Sequence, residues 1–225
     1  MTRGEAVQRL RVGYRISNPL QYVSVLDMGR LWERLLRRAQ VPMAYTQGYH
    51  PHPRLQFAAP LPVGYLSSAE WLDVYLREAV DPDEILPRMR AQCPRGLEIK
   101  SAQTVSLNAP VLQAQMREAE YTVQVWSEAE PTEMQGALEA LMEQEQILRT
   151  RVRKGRQQEY DLRSRIHALA YIGGQPDSDD GVWEHELHLR MRSGSQGSGR
   201  PEELLQELEL PIDHYRICRT RLIWE

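Results

Sequence analysis

The chain has 225 residues, of which 41% are hydrophobic and 26% charged, with a formal net charge of −3. Such a length builds one large domain or two small ones around a real core, and a total charge so near balance predicts no polyanion partner by itself. No apolar run reaches the roughly 18 residues of a membrane span, the opening MTRGEAVQRL lacks a secretion signal's apolar stretch, and two cysteines, Cys93 and Cys218, make no disulfide framework. A cytoplasmic protein with no membrane partner is therefore expected.

Residues 9–16, RLRVGYRI, alternate strictly, with Leu10, Val12, Tyr14 and Ile16 on one face and Arg9, Arg11 and Arg15 on the other. That pattern predicts a half-buried strand. Ser24-Val25-Leu26-Asp27 then offers two side-chain caps for free helix-start amides. Met28, Leu31, Trp32, Leu35 and Ala39 recur at helical spacing until Pro42 stops the helix. A strand or hairpin region follows over 44–58, and WLDVYL at 71–76 alternates as a strand. Asp81-Pro82-Asp83-Glu84 predicts a second helix start, ending near Cys93-Pro94-Arg95-Gly96, and LEIKSAQTV at 97–105 reads as a strand. The order β-α-β-β-α-β is that of a ferredoxin-like domain.

The second half repeats the order loosely. AEYTVQVW (119–126) is a strand, PTEMQGALEALMEQEQ (131–146) a helix and ILRTRVR (147–153) a strand. EYDLRSRIHALAYIGG (159–174) and VWEHELHLRM (182–191) read as long strands. PEELLQELEL (201–210) reads as a helix and YRICRTRLIWE (215–225) as the last strand. The expected class is α+β, two tandem ferredoxin-like domains over 1–107 and 115–225, the second with an extra strand.

Charge is distributed in blocks. Residues 1–100 hold 14 Lys/Arg against 10 Asp/Glu, 101–148 hold 1 against 8, 149–175 hold 7 against 2, and 176–225 hold 6 against 11. Local basic surfaces can thus exist on an acidic protein.

Four segments are candidates for chemistry. Tyr45–Phe57 has no acid, and Tyr45, Tyr49, His50 and His52 offer flat faces on which unpaired bases stack, with Arg54 as a phosphate or base contact. The same segment can also be a rigid loop, since Pro51 and Pro53 pre-set an extended backbone. A metal between His50 and His52 would need further ligands that no nearby residue supplies, so no metal and no cofactor is expected. Arg30, Arg34, Arg37 and Arg38 gather on one side of the first helix, as a solvated face or a polyanion contact. Arg149, Arg151 and Arg153 would point the same way along a strand, toward phosphates or toward the cross-strand acids Glu159 and Asp161. Gly194, Gly197 and Gly199, flanked by Arg192 and Arg200, lead into a helix, as an anion site or a flexible linker. Nucleophile elbow, HExxH, CxxC and cluster-binding cysteine motifs are all missing.

The block YVSVLDMGRLWERLLRRAQVPMAYTQGYHPHPRLQFAAPLPVG (22–64), continued by EWLDVYL, AEYTV, KGRQQEYDLR and GSGRPEELL, resembles a family described as radical-SAM-linked, a domain of unknown function. The resemblance implies a radical SAM protein as partner, fused or encoded alongside. Lacking cluster cysteines, this chain would be the accessory part. The family's Ser-His-Leu-Asp reads Ser24-Val25-Leu26-Asp27 here, and its Asn-Pro-His-Pro reads His50-Pro51-His52-Pro53, so His52 alone keeps the histidine pattern. The tandem order is also similar to CRISPR repeat-processing endoribonucleases and some RNA-modifying enzymes, by fold analogy. The expectation is a non-catalytic module that binds RNA for a radical SAM enzyme. Two alternatives stand beside it: a metal-independent RNA-processing enzyme using His50 or His52 as general base, and a protein-only adaptor.

Overall fold

Alternation over Gln8–Ile16 makes the first strand, β1, which buries Leu10, Val12, Tyr14 and Ile16. The computed structural model describes residues 5–153, 155–177, 181–194 and 197–224, without the side chains of Arg153 and Arg156. These residues form two units, one ending at Met116 and the other spanning Arg117–Trp224. The class is mixed α+β, and no helix among the described residues is long and apolar enough to cross a membrane.

In the first unit, α1 (Val25–Arg38) starts at Ser24, whose hydroxyl accepts from the Asp27 amide at 3.2 Å and donates to Oδ2 of Asp27 at 2.8 Å. Met28, Trp32, Leu35 and Leu36 fall on its buried face, and Trp32 meets Tyr14 of β1 edge-on at 5.0 Å. The helix ends without glycine. Gln40 takes the left-handed position at φ 56°, while Val41 N–H donates to Leu36 O at 2.9 Å and Gln40 N–H to Arg37 O at 3.1 Å, the two bonds of a Schellman cap. Then come β2 (Leu55–Phe57), β3 (Tyr65–Leu76), α2 (Pro82–Arg90) behind its cap Asp81, β4 (Leu97–Val105) and the single turn α3 (Leu112–Gln115). The strands lie antiparallel in the order β4-β1-β3-β2. Leu10 and Val12 pair with Val74 and Leu72, and their apolar face shares one core with Trp32, Leu35, Ile85 and Met89 of the helices.

The opposite face corrects the expectation that Arg9 faces solvent. Arg9 is 0% exposed and bonds to Asp73 through Nε at 2.8 Å and Nη2 at 2.5 Å. Its Nη1 and Nη2 also donate to the carbonyls of Ala109 and Pro110 at 2.6 and 3.1 Å. The chain after β4 thus covers this end of the sheet face and forces the guanidinium to find protein partners. Arg11 shares Asp73 at 2.9 Å, whereas Arg15 remains exposed beside Glu98.

The second unit holds β5 (Met116–Ser127), α4 (Pro131–Glu143), β6 (Leu148–Arg153), β7 (Arg156–Asp161), β8 (Ile166–Pro176), β9 (Trp183–Arg192), α5 (Pro201–Leu205) and β10 (Ile212–Trp224). Its main sheet runs β10-β5-β9-β8, and β6 and β7 form a separate two-stranded sheet. Tyr121, Val123, Val125, Leu187, Leu189 and Met191 are buried, as are Met134, Leu138 and Leu141 of α4. Two expectations change. Residues 159–174 are two strands, because Asp161 Oδ1 accepts from the amides of Ile147 and Arg163 at 2.9 Å each, and a 3-10 turn over Arg163–Arg165 breaks the run. The extra element is therefore a hairpin and not one strand. The helix expected over 201–210 stops at Leu205. Its continuation tightens to a Leu208 N–H to Leu205 O bond, since a residue before proline, here Leu210, avoids the helical region.

Candidate nucleic-acid interface

Loop 45–54 of the first unit is closed by its own backbone. Thr46 N–H donates to His52 O at 2.8 Å, His52 N–H to Thr46 Oγ1 at 3.0 Å, and Arg54 N–H to Ala44 O at 2.9 Å. Tyr45 and Pro53 form a β-bridge. Gly48, at φ 132°, supplies the turn that a side-chain-bearing residue rarely adopts, and Pro51 and Pro53 fix their own φ. The result is a stiff, exposed tip. Tyr49 is 95% exposed, its ring edge-on to His50 at 5.1 Å, and His50 and His52 are exposed as well.

Tyr45 turns inward and packs on the core. Arg54, half-buried at the base of the loop, lies 4.4 Å over the Tyr75 ring, a cation–π contact. Beside the tip opens a groove of about 580 Å³ lined by Met43, Tyr45, Gln47, Gly48, Pro51 and Arg77. The structure thus brings Tyr49, His50 and His52 together at the tip and leaves Arg54 at its base.

Three of the four arginines of α1 have protein partners, two of them on the same helix. Arg30 pairs with Asp27 at 2.9 Å, Arg37 with Glu33 at 2.6 Å, and Arg38 donates to Gln92 O at 3.0 Å. Arg34 is exposed and forms no ion pair among the described residues. The Ser24 hydroxyl, and after it Arg30, hold the Asp27 carboxyl below the usual carboxylate range. No hydrogen bond or ion pair joins these arginines to loop 45–54 among the described residues.

In the second unit, hairpin β6–β7 reaches α5 and the residues after it, and Arg165 reaches Ser198, which their sequence positions do not suggest. Arg149 reaches across to donate to the Glu203 carbonyl at 3.0 Å, to Gln206 Oε1 at 2.6 Å and to the Glu207 carboxylate. Pairing of the β6 arginines with Glu159 and Asp161 is not what forms. The register sets Arg149 opposite Tyr160 and Arg151 opposite Gln158, and Asp161 is committed to its turn. The Arg153 side chain lies outside the described residues.

Arg151 donates to Gln158 Oε1 at 3.1 Å and lies 5.3 Å from the Tyr160 ring. Arg165 lies against the same ring at 3.9 Å and donates to Ser198 O at 2.9 Å. Nor does the Gly-rich segment behave as a loose linker in its described part. A Cβ on Gly199 would come within 2.8 Å of Met191 Cε, and one on Gly197 within 3.5 Å of the Arg165 guanidinium. Arg200 is exposed beside Glu202 at 3.6 Å.

Burial, then the neighbouring charges of Arg151 and others, lowers the pKa of Arg165, and burial followed by Glu203 raises that of the Tyr160 hydroxyl. Arg165 and Tyr160 escaped sequence reading, whereas Arg192 figured only as a flank of the Gly-rich segment. The available signal was the excess of base over acid across 149–175.

His185 was also missed. Fully buried on β9, it donates from Nε2 to Ala129 O at 3.1 Å, which leaves Nδ1 to accept from the Tyr171 hydroxyl at 3.0 Å. Burial pushes its pKa below the ordinary histidine value, against the smaller upward effect of the Ala129 carbonyl. Among the described residues no three His, Cys, Asp or Glu side chains gather as a metal site.

A family model described as an uncharacterized protein conserved in bacteria (DUF2344) matches residues 9–201. Comparison with curated proteins gives no match. Among solved structures, the chain is similar to one in the crystal structure of a Cbf5-Nop10-Gar1 complex, at 10% identity over 93% of this chain and 48% of that one, with a TM-score of 0.47. It thus spans about half of that chain's length. A protein from Galdieria sulphuraria is similar at 16% identity over 89% of this chain and 86% of that one, with a TM-score of 0.27. Neither likeness bears on function.

Proposed function

The chain belongs to the uncharacterized bacterial family DUF2344, matched over residues 9–201, and from that premise we propose that it is a non-catalytic accessory module that binds RNA for a radical SAM partner enzyme. The RNA half of this reading is carried by the tip of loop 45–54, where Tyr49 is 95% exposed on a closed, proline-stiffened hairpin beside His50 and His52. A tyrosine normally buries most of its ring. Here the ring stands in water on a backbone that has already lost its freedom, so a base stacking on it costs little further ordering. Arg54 and Arg77 border the loop base and groove as cations for the chain of phosphates.

The partner half rests on the resemblance of 22–64 to radical-SAM-linked proteins, and a cytoplasmic location goes with it. The strand orders β4-β1-β3-β2 and β10-β5-β9-β8 support reading the units as tandem ferredoxin-like domains. His50 and His52 form no ion pair with a carboxylate among the described residues, which favours contact over base catalysis.

The test is fluorescence anisotropy with a single-stranded RNA oligonucleotide. One lost stack is worth about 1–3 kcal/mol, so Tyr49→Ala weakens binding about tenfold, and His52→Ala adds to it. The melting temperature stays put, because both side chains are exposed. Wild type and variant binding with equal affinity would overturn the reading.

A further inference from the structure

We propose that the second unit carries a phosphate-binding subsite in which the guanidinium groups of Arg151, Arg165 and Arg192 surround one oxyanion beside the Gly197–Gly199 backbone. The subsite stands apart from the stacking loop of the first unit and does not depend on it.

The argument starts from Arg165. It is only 8% exposed, and a buried guanidinium is ordinarily met by a carboxylate. Among the described residues Arg165 forms no ion pair. The Tyr160 ring lies 3.9 Å from it, and Ser198 O takes one of its N–H groups at 2.9 Å. A guanidinium has further donors in its planar fork, and among the described residues the Ser198 carbonyl is the one hydrogen-bond acceptor that Arg165 meets. Tyr160 holds Arg151 as well, at 5.3 Å. Arg192 is brought to the same place by the strand register, since Ile166 pairs with Met191 and Gly199, whose Cβ position lies 3.1 Å from Arg165 Cβ, donates its N–H to Arg192 O at 3.0 Å. Crowded guanidinium groups repel, and an anion among them removes that cost.

The nearby carboxylates do not fill the role. Glu207 is taken by Arg149. Glu203 stands near the Tyr160 hydroxyl, whose pKa it raises second to burial, and its Oε2 is buried without a hydrogen-bond partner. Among the described residues, none of Arg151, Arg165 and Arg192 forms an ion pair, and Glu118, opposite Arg192 in the register, is taken by His167 and Arg190. Charge alone would admit any anion, but converging planar forks select a tetrahedral oxyanion with several acceptor oxygens. Glycine at 197, where φ is 106°, keeps the backbone close to the Arg165 guanidinium, with a Cβ position only 3.5 Å from its central carbon. The ligand chemistry is a phosphate group, supplied either by a small monoester or by the diester backbone of RNA.

The experiment follows the arginine Nε–Hε resonances of the full chain by NMR. The chain is titrated in parallel with inorganic phosphate, with a nucleoside monophosphate and with an RNA oligomer bearing hydroxyl termini, chloride serving as control. Inorganic phosphate is expected to shift the Arg165 signal saturably. Arg151→Gln with Arg192→Gln should weaken this tenfold or more, and Tyr49→Ala should leave it unchanged. Competition by the oligomer identifies the diester backbone as the source, and competition by the monophosphate alone identifies a monoester. Arg165→Gln should abolish the phosphate-induced shift of the Arg151 and Arg192 signals, and the double variant, read at Arg165, carries the test if Arg165→Gln does not fold. The proposal is overturned if none of the three phosphates gives a saturable response, if chloride matches them, or if the double variant binds phosphate as tightly as wild type. Because Tyr49→Ala reads only the stacking loop, loss of the RNA reading and loss of the phosphate subsite are told apart.

Discussion

Arg9 occupies a position that strand alternation assigns to water, yet it lies fully buried against Asp73, with the carbonyls of Ala109 and Pro110 closing the other side. Arg11 bonds to the same carboxylate, so one anion serves two cations. Removing charge from water costs several kcal/mol per ion, and the pairing only repays it. Asp73 therefore matters less as a source of net stability than as the group whose loss strands Arg9. Asp73→Ala is expected to cost about 3–5 kcal/mol in urea unfolding, and a loss below about 1 kcal/mol would show that water reaches Arg9 instead. Nothing near Arg9 in sequence marks this burial, because the segment covering it lies about a hundred residues on. Arg15, on the same face, lies clear of that segment and stays exposed as alternation predicts.

At the scale of elements, what could be read was what is encoded locally. Ser24 and Asp81 cap α1 and α2 because hydroxyl and carboxylate reach the amides two or three residues on, and the prolines of loop 45–54 announce a stiff turn. What could not be read depends on partners elsewhere. Asp161 looks like a mid-strand residue until its bonds to the Ile147 and Arg163 amides show that it ends β7. His185 looks like one member of an alternating strand, yet it ties β9 to Tyr171 of β8 and to Ala129 just before α4.

The His185 tie has a pH signature. Its folded pKa is lowered, so the unfolded chain takes a proton first as pH falls below the ordinary value of 6.5. Stability is full above that value and declines below it, by up to about 1.4 kcal/mol per pH unit, until the folded-state pKa is passed. Denaturant unfolding of wild type and His185→Gln from pH 8 to pH 4 should show their stability gap narrowing as pH drops. A gap that holds constant would mean that His185 is not the group responsible.

For the whole molecule, the net charge of −3 conceals blocks of opposite sign, and the structure shows that a block's sign does not count its free charges. Of the four arginines of α1, Arg30 and Arg37 are paired within the helix and Arg38 is bonded to Gln92 O. Arg149 is neutralised by Glu207, 58 residues away, while Arg151, Arg165 and Arg192 keep little compensation. Sequence blocks located the basic segment but not which of its members remain available, since compensation is settled by strand register and by distant chain. That distinction fixes how RNA binding responds to salt. Each phosphate neutralised on a single strand contributes about −0.7 to the slope of log K against log salt. With about two to four phosphates engaged by the uncompensated arginines, the slope lies near −1.4 to −2.8, a loss of about 7- to 50-fold between 50 and 200 mM salt. Engagement of every arginine in the basic blocks would give a far steeper line. Anisotropy titrations across that range decide: a slope near zero removes phosphate contact from the mechanism and leaves a protein-only adaptor, and Arg151→Gln with Arg192→Gln, which disables the one-phosphate subsite, should flatten the line by about 0.7.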